Sequence, residues 1–535
     1  MAFEPLKGKR SLRRDIGIVG LLFASTTSII GSGWLFGSLH AAKIAGPLSV
    51  WSWIIGGGIV LLIALCFSEL GTMFPRSGAL VHMSHASHGI GLGRIWAWLL
   101  FLSYAAIPPV EAEAVVTYAN NYLPYFIQPH SNGLLTIPGY IACTILLGIF
   151  CLMNLLAIGR LLAINSAITW FKIGLPILTI IVFFVVTSSK PHWGVWHAAP
   201  HSYNITGMFT ALPAAGIVFA YLGFRTAIDL GGESASPGRH IPMAVVGSAL
   251  LCGAIYILSQ VVFIGALQPQ SLIHGWTKLT FEGSAGPFAG LAILLGVGWL
   301  TMLLYIDAFI APSGTALMYT TAGARVLFAA GETDSGPAWL TNLTSSTQAP
   351  WAGVLIMWIV GVLFLLPFPA WQLMVEYITS VTVITYCLGP ITLLVLRRSR
   401  PDVPRHFKLW MPNLIAPLAF IFSNLIVYWT GFANDSIMYI ILIVGFVAYA
   451  LYYHFVAKND PAKFGWKGMS WLLPWLGGLW ILSYLGNLGG LGLINFWEGV
   501  ILVTIWSVLM LWLAVRLALP AEETRQIMAE LENTL

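Results

Sequence analysis

Fourteen stretches of 17 to 35 predominantly apolar residues succeed one another along the chain, and they decide what it can fold into. They fall at 16–42, 47–73, 93–123, 135–157, 162–187, 207–230, 241–267, 286–320, 351–368, 371–397, 411–431, 436–457, 470–486 and 494–518. About 20 apolar residues of helix cross the hydrocarbon core of a bilayer. In water each stretch would have to be hidden, and only 8% of the 535 residues are charged, against roughly 25% in soluble domains. A soluble enzyme, a nucleic-acid binder and a disordered scaffold are excluded. The reading is an all-α integral membrane protein of about fourteen spans. The thirteenth stretch is the weakest, since Pro474 and three glycines interrupt it. Only Pro367-Phe368-Pro369 separates the ninth from the tenth, which predicts a tight hairpin.

Charge distribution tests the count. With a cytoplasmic N-terminus, 20 of the 25 Lys and Arg fall in inside segments, three (Lys43, Lys190, Lys278) fall outside, and Lys172 and Arg225 lie within spans. An odd miscount in the middle would scramble this positive-inside split. Both termini are therefore expected in the cytoplasm of a cell inner (cytoplasmic) membrane. The chain divides into an N-terminal segment 1–15, a core of spans 1–10 at 16–397, additional spans 11–14 at 411–518, and a short C-terminal amphipathic helix at 519–535. The basic residues before span 1 precede a stretch too long for a signal-peptide core, so span 1 is expected to stay. Spans 11–14 offer surface for a homodimer or another partner. The net charge of +5 is scattered over short loops and suggests no nucleic acid. Cys66, Cys143, Cys151, Cys252 and Cys387 lie in apolar segments with no paired spacing, so no disulfide, metal or cofactor is expected.

Two spans carry breaks. Span 1 contains Ile29-Ile30-Gly31-Ser32-Gly33-Trp34, where two glycines weaken the helix at its middle. Unwinding in lipid is tolerated only where the freed backbone lines a polar cavity. The N–H groups of one half-helix then suit a carboxylate, and the carbonyls of the other suit an ammonium; an α-amino acid presents both. Span 6 contains Pro213-Ala214-Ala215-Gly216 and Phe219-Ala220-Tyr221-Leu222-Gly223-Phe224. Glycine in either span alone reads as helix packing. The two together, five spans apart, fit inverted repeats of spans 1–5 and 6–10.

The ordered motifs Ile30-Gly31-Ser32-Gly33-Trp34, Ser68-Glu69-Leu70-Gly71-Thr72-Met73-Phe74-Pro75-Arg76-Ser77-Gly78, Phe219–Phe224 and Gly232-Glu233-Ser234-Ala235-Ser236-Pro237-Gly238-Arg239-His240-Ile241-Pro242 resemble the amino acid–polyamine–organocation (APC) family over roughly residues 15–455. Within it the likeness is to bacterial aspartate–proton symporters. The resemblance implies a LeuT-type 5+5 inverted repeat with a midplane substrate site. It puts the substrate carboxylate on the backbone N–H groups of Ser32 and Gly33 beside Gly31. It puts the amine on carbonyls near Ile29, Ile30, Phe219 and Ala220. Phe219 is implied to be a gate, with Tyr221 and Gly223 in the same break. Ordinary packing is the alternative for the aromatics.

Arg225 departs from the family, most of whose members have an acidic residue there. Its guanidinium matches a side-chain carboxylate of an acidic substrate. The alternative is an i,i+4 pair with Asp229 that braces the helix. Lys172 lies about 15 Å from the end of span 5, too deep to reach water easily, and there a neutral amine becomes accessible. The resemblance is to proton-coupled members whose span 5 lysine replaces a sodium ion. A permanently paired lysine is the alternative. Glu111, Glu113, Asp307 and Glu376 are intramembrane acids and so candidates by default. Glu111 and Asp307 lead for proton coupling, and the spacing of two sends Glu111 and Glu113 to different faces. Glu69 and Glu498 read as structural. His82, His85 and His88 read as a solvated polar segment, with a metal site as the lesser alternative. Asn204-Ile205-Thr206 is a chance-level glycosylation triplet.

The lead reading is a secondary active transporter, not an enzyme, taking up an acidic amino acid (aspartate or glutamate) with a proton by alternating access. Sodium is the weaker coupling ion. An amino acid exchanger is the rival within the class. A polytopic membrane enzyme lacks its cluster of catalytic groups, and a channel lacks a repeated pore loop.

Overall fold

The computed structural model describes residues 16–129, 131, 133–156, 158–188, 205–279, 286–333, 335–366, 371–455 and 465–533. Among these the chain is helical, without a β-strand. Span 1 is α1 (Ile18–Ile29) and α2 (Ser32–Ala45), and span 2 is α3 (Ser49–Met73). After α4 (Ala79–His88), span 3 is α5 (Ile90–Ala105) and α6 (Ile107–Ala119). Spans 4 and 5 are α7 (Ile137–Met153) and α8 (Ile158–Ser188). Span 6 is α9 (Ile205–Ala214), α10 (Ile217–Ala220) and α11 (Thr226–Asp229); span 7 is α12 (Pro237–Ala266). Span 8 is α13 (Pro287–Leu294) and α14 (Gly298–Glu332). Then follow α15 (Trp351–Leu365), α16 (Trp371–Ser399), α17 (Pro412–Thr430), α18 (Phe432–Phe455), the short α19 (Trp466–Met469), α20 (Leu472–Leu485), α21 (Phe496–Arg516) and α22 (Ala521–Asn533). Among the described residues, each of the fourteen apolar stretches is thus built on helix.

Among the described residues, eight helical segments are long and apolar enough to cross a membrane, or nine with the pair in span 6 that meets at 49°. Shorter apolar helices, α1, α7 and α15 among them, add to these. Ile137, Ile141, Ile145 and Ile149 recur every fourth residue on α7 and stay exposed, while Cys143, Leu147 and Phe150 on its other side are buried. A helix apolar on both sides, with its outer stripe left open, is built for lipid. This is a multi-pass membrane protein.

Spans 1, 2, 6 and 7 form the centre. α3 packs along α12, and α1 packs against both α12 and the 3₁₀ turn Leu222–Arg225. α14 closes one side against α5, α6 and α8, and α16 closes the other against α3, α5 and α17. The two broken spans touch directly, because Gly223 lies on the backbone of Ser28 and Ile29 and a Cβ there would overlap it. Only glycine permits that approach.

Two spans gain detail and one expectation is overturned. Span 8 breaks after Leu294, with Gly296 at φ +76°, and then runs to Glu332, well past residue 320. Arg325 does not end the helix because Glu233 neutralises it in the interior. Span 3 divides at Ala106, and Pro108 and Pro109 fall in the first turn of α6, where a missing N–H leaves no intrahelical bond unmade. The histidine segment is a buried helix, α4, rather than a solvated loop. His88 Nε2 meets Ala514 O at 3.0 Å and Leu519 N–H donates to Ser87 O at 3.1 Å, so the C-terminal segment covers it. His82 lies 3.8 Å from Glu332, and no metal-binding cluster is present among the described residues. The Pro367-Phe368-Pro369 hairpin, Asn204, Lys190 and residues 1–15 lie outside the described residues.

Candidate functional site

α1 stops at Ile29 and α2 restarts at Ser32, with Ile30 extended (φ −80°, ψ 92°) between them. The last carbonyls of α1 and the first N–H groups of α2 lose their helical partners there. Three of the oxygens at the break meet side chains. Thr27 O accepts from Lys172 Nζ at 2.7 Å and from the Thr315 hydroxyl at 2.8 Å; Ile30 O lies 3.1 Å from the same hydroxyl. Ile29 O and, across the gap in span 6, Ala220 O both face the Tyr256 hydroxyl, at 2.8 and 3.2 Å. On the other side of the break, Ser32 N–H donates to Glu111 Oε2 at 2.8 Å. Gly33 packs on Ala220, where a Cβ would come within 2.8 Å of Ala220 Cβ.

The backbone groups expected to seat the carboxylate and the amine lie side by side, and each meets a group of the protein. Glu111 faces the N–H of Ser32, and Tyr256 bridges the carbonyls of Ile29 and Ala220. Trp371 Nε1 donates to Ser32 Oγ at 2.9 Å, and the Phe219 ring meets the Trp371 ring edge-on, with centroids 6.2 Å apart. Phe219 and Trp371 thus lie side by side at the break. Tyr221 does not face the break: its hydroxyl reaches Trp53 O at 3.3 Å. Gly31 is a second position of close approach, since a Cβ there would lie 2.5 Å from Glu111 Oε1 and 2.7 Å from Thr315 Oγ1. Gly31→Ala is expected to overpack this point at a cost of about 1–3 kcal/mol. Initial uptake rates in proteoliposomes should fall about tenfold; rates equal to wild type would show that the contact is dispensable.

Lys172 is fully buried, and all three of its donors are used: Thr27 O of α1, Ala311 O of α14 at 2.7 Å, and Thr315 Oγ1 of α14 at 3.0 Å. It ties span 5 to spans 1 and 8 through neutral oxygens, at the C-terminal end of α1 where a cation is favoured. Asp307, also on α14, accepts from Trp34 Nε1 at 2.9 Å through one oxygen; the other has no hydrogen-bond partner. Lys172, Glu111 and Asp307 therefore converge on the two halves of span 1, each from a different direction. Glu113 turns away, towards Tyr140 and Cys143 of α7.

Arg225 is buried at the foot of the break. Nη1 donates to Thr385 at 3.0 Å and Nη2 to Ser103 at 2.9 Å, and the guanidinium lies 3.9 Å over the Tyr104 ring. The i,i+4 ion pair with Asp229 is not formed; the Tyr104 hydroxyl donates to Asp229 instead. Tertiary packing gives the guanidinium to Thr385 and Ser103 and the carboxylate to Tyr104, although Thr226–Asp229 is α-helical. No carboxylate is hydrogen-bonded to this guanidinium among the described residues.

The remaining acids are structural. Glu69 binds Arg397 at 2.9 and 2.5 Å, Arg405 at 3.0 Å and Leu409 N–H at 2.7 Å. Glu233 binds Arg325, with Nη2 at 3.3 Å from Oε2. Glu498 completes a capping box with Asn495 at the start of α21. Glu376 accepts from Asn434 at 3.1 Å.

Two facing broken spans with buried titratable groups around them are the setting of a membrane transporter. The sequence pattern of the amino acid permease family matches residues 16–448, and the chain belongs to that family, within the APC superfamily. It is 38% identical to a glutamate/serine transporter of Bacillus subtilis (strain 168) over 464 residues, 86% of this chain and 84% of the relative. It is 31% identical to an aspartate-proton symporter of the same organism over 450 residues, 84% and 86% of the two chains. A branched-chain amino acid permease from that organism is 24% identical over 83% of this chain and 94% of its own length.

Proposed function

We propose that this amino acid transporter carries an acidic amino acid, aspartate or glutamate, into the cell together with a proton. The observation that carries the acidic substrate is Arg225: a buried guanidinium close to the break whose hydrogen-bond partners are neutral hydroxyls. Such a cation attracts a carboxylate strongly, because a charge out of water lacks its solvation. In this reading the α-carboxylate sits on the N–H groups of Ser32 and Gly33, the amine on the carbonyls of Ile29 and Ala220, and the side-chain carboxylate points down towards Arg225. The two relatives that handle glutamate and aspartate agree with it.

Proton coupling is assigned to Lys172, with Glu111 and Asp307 as its acidic neighbours. The ammonium needs all three of its acceptors; the neutral amine has two hydrogens and must let one go. Loss of a proton thereby loosens α1 from α14 at the break, which is the movement alternating access requires. The same reading puts the chain in the cytoplasmic membrane with both termini inside, from the bias of its basic residues.

The test is uptake of labelled L-aspartate and L-glutamate into proteoliposomes, with an inward proton gradient and, separately, a sodium gradient at equal pH. Accumulation above equilibrium driven by protons alone is expected, and unlabelled serine is expected to compete weakly. Accumulation driven only by sodium, or none of either acid, would overturn the proposal.

A further inference from the structure

Ser32 N–H is the first free donor of α2, and its acceptor is a carboxylate that belongs to the protein. Gly31 has no side chain to cap the helix, and the cap comes from Glu111, 79 residues away on span 3, at 2.8 Å. We propose that Glu111 is an internal stand-in for the α-carboxylate of the transported amino acid, holding its place on α2 while the site is empty and leaving as the neutral acid when substrate binds. This rests on the reading that the N–H groups of Ser32 and Gly33 receive that carboxylate.

The geometry makes the two occupants exclusive. A single N–H has one in-line acceptor position, and Glu111 fills it. The approach is narrow, bounded by Gly31, Thr315 and the Glu111 carboxylate itself, and a Cβ on Gly31 would close it. Two carboxylates at one buried helix end would repel, because like charges in the interior are screened far less than in water. Taking up one proton removes that conflict. The neutral acid is also the weaker acceptor, so it gives up the N–H to a charged competitor. The balance is one proton bound to a Glu111 oxygen for each substrate carboxylate that docks. That proton is released when substrate departs and Glu111 caps α2 again.

The charged and titratable groups facing Glu111 are Lys172 of α8, Tyr256 of α12 and Tyr319 of α14. Asp307 lies on the same α14, next to Trp34. Lys172 is the one cation of the set, so it favours the anionic, capping form while the site is empty. A gating role for Lys172 does not require Glu111 to compete with substrate; the stand-in does, and it makes a distinct forecast about binding.

The experiment is equilibrium binding of labelled L-aspartate and L-serine to the purified full chain in detergent, from about pH 5 to pH 8. Serinol, which has serine's amine and side chain but no carboxylate, serves as a competitor. In the wild type, Kd for both amino acids is expected to rise up to about tenfold per pH unit, the slope for one proton taken up on binding. In Glu111→Gln, which keeps the size of the side chain and a weak neutral cap, the slope is expected to vanish. Its Kd at the alkaline end should lie about tenfold or more below the wild-type value. Serinol should compete without the slope. An unchanged slope in Glu111→Gln, or weaker binding than wild type at every pH, overturns the stand-in while leaving the carboxylate seat intact. Equal behaviour of serine and serinol in the wild type overturns the carboxylate seat, and the stand-in with it. Thermal unfolding of the variant in the same detergent separates lost binding from lost folding.

Discussion

Lys172→Met is expected to abolish proton-driven accumulation of substrate while leaving exchange across the membrane. The change keeps an unbranched chain of similar length and removes the charge. None of the groups it abandons is stranded: Thr27 O keeps the Thr315 hydroxyl at 2.8 Å, and Ala311 O lies within a continuous helix. These acceptors stay satisfied, but Glu111 and Asp307 lose their neighbouring cation, so thermal unfolding of the variant is compared with wild type in the same detergent. Three hydrogen bonds from a charged donor disappear, at about 1.5–3 kcal/mol each before compensation. Even one of them, lost from the state that must be held closed, shifts the balance between states about tenfold or more. A proton gradient can drive uptake only if binding a proton changes that balance. The expected result is accumulation reduced about a hundredfold or to equilibrium, with counterflow of labelled substrate retained within about threefold, both measured in the same proteoliposomes. Undiminished accumulation in Lys172→Met would show that the proton taken up at Glu111 or Asp307 suffices for coupling without Lys172. Loss of counterflow as well would make Lys172 a structural cross-tie.

The breaks were legible because glycine weakens a helix wherever it stands, and two such places five spans apart are a pattern in the chain itself. Lys172 and Glu111 were legible for a similar reason, since a charged group inside an apolar stretch is costly in lipid and must have a partner or a role. Their partners were not. Tyr256, Thr315 and Trp371 stand in no motif of the chain, and what brings them to the break is the face that tertiary packing turns towards Ile29, Ile30 and Ser32. Sequence holds no periodic trace of that. Local spacing also misled twice. Arg225 and Asp229 are four apart, which allows a pair on a helix, but tertiary packing gives the guanidinium to Thr385 and Ser103 and the carboxylate to Tyr104. The histidines between spans 2 and 3 look polar enough for water, yet α4 is buried because residues more than 400 positions later, Ala514 and Leu519, close over it.

Arg225→Met is expected to convert selectivity for acidic substrates into a preference for small neutral ones. If the guanidinium meets the substrate's second carboxylate, its removal takes away a charge-assisted interaction worth about 2–3 kcal/mol. Transport of aspartate should then fall roughly 30- to 150-fold relative to serine. Serine itself, which never met the guanidinium, should be transported within about threefold of wild type. The arginine also neutralises its surroundings, since Asp229 is buried nearby and one of its oxygens has no hydrogen-bond partner. Removing the cation alone leaves that carboxylate uncompensated, which endangers folding. The double variant Arg225→Met/Asp229→Asn removes both charges and keeps the Tyr104 hydroxyl supplied with an acceptor. It is the cleaner measurement. Aspartate and serine uptake are compared as ratios of kcat/KM in one preparation, so that differences in the amount of folded protein cancel. A selective loss of aspartate ties Arg225 to the side-chain carboxylate. A parallel loss of both substrates means that the guanidinium serves only to hold Ser103, Thr385 and the Tyr104 ring together at the foot of the break, and that selectivity arises elsewhere in the site.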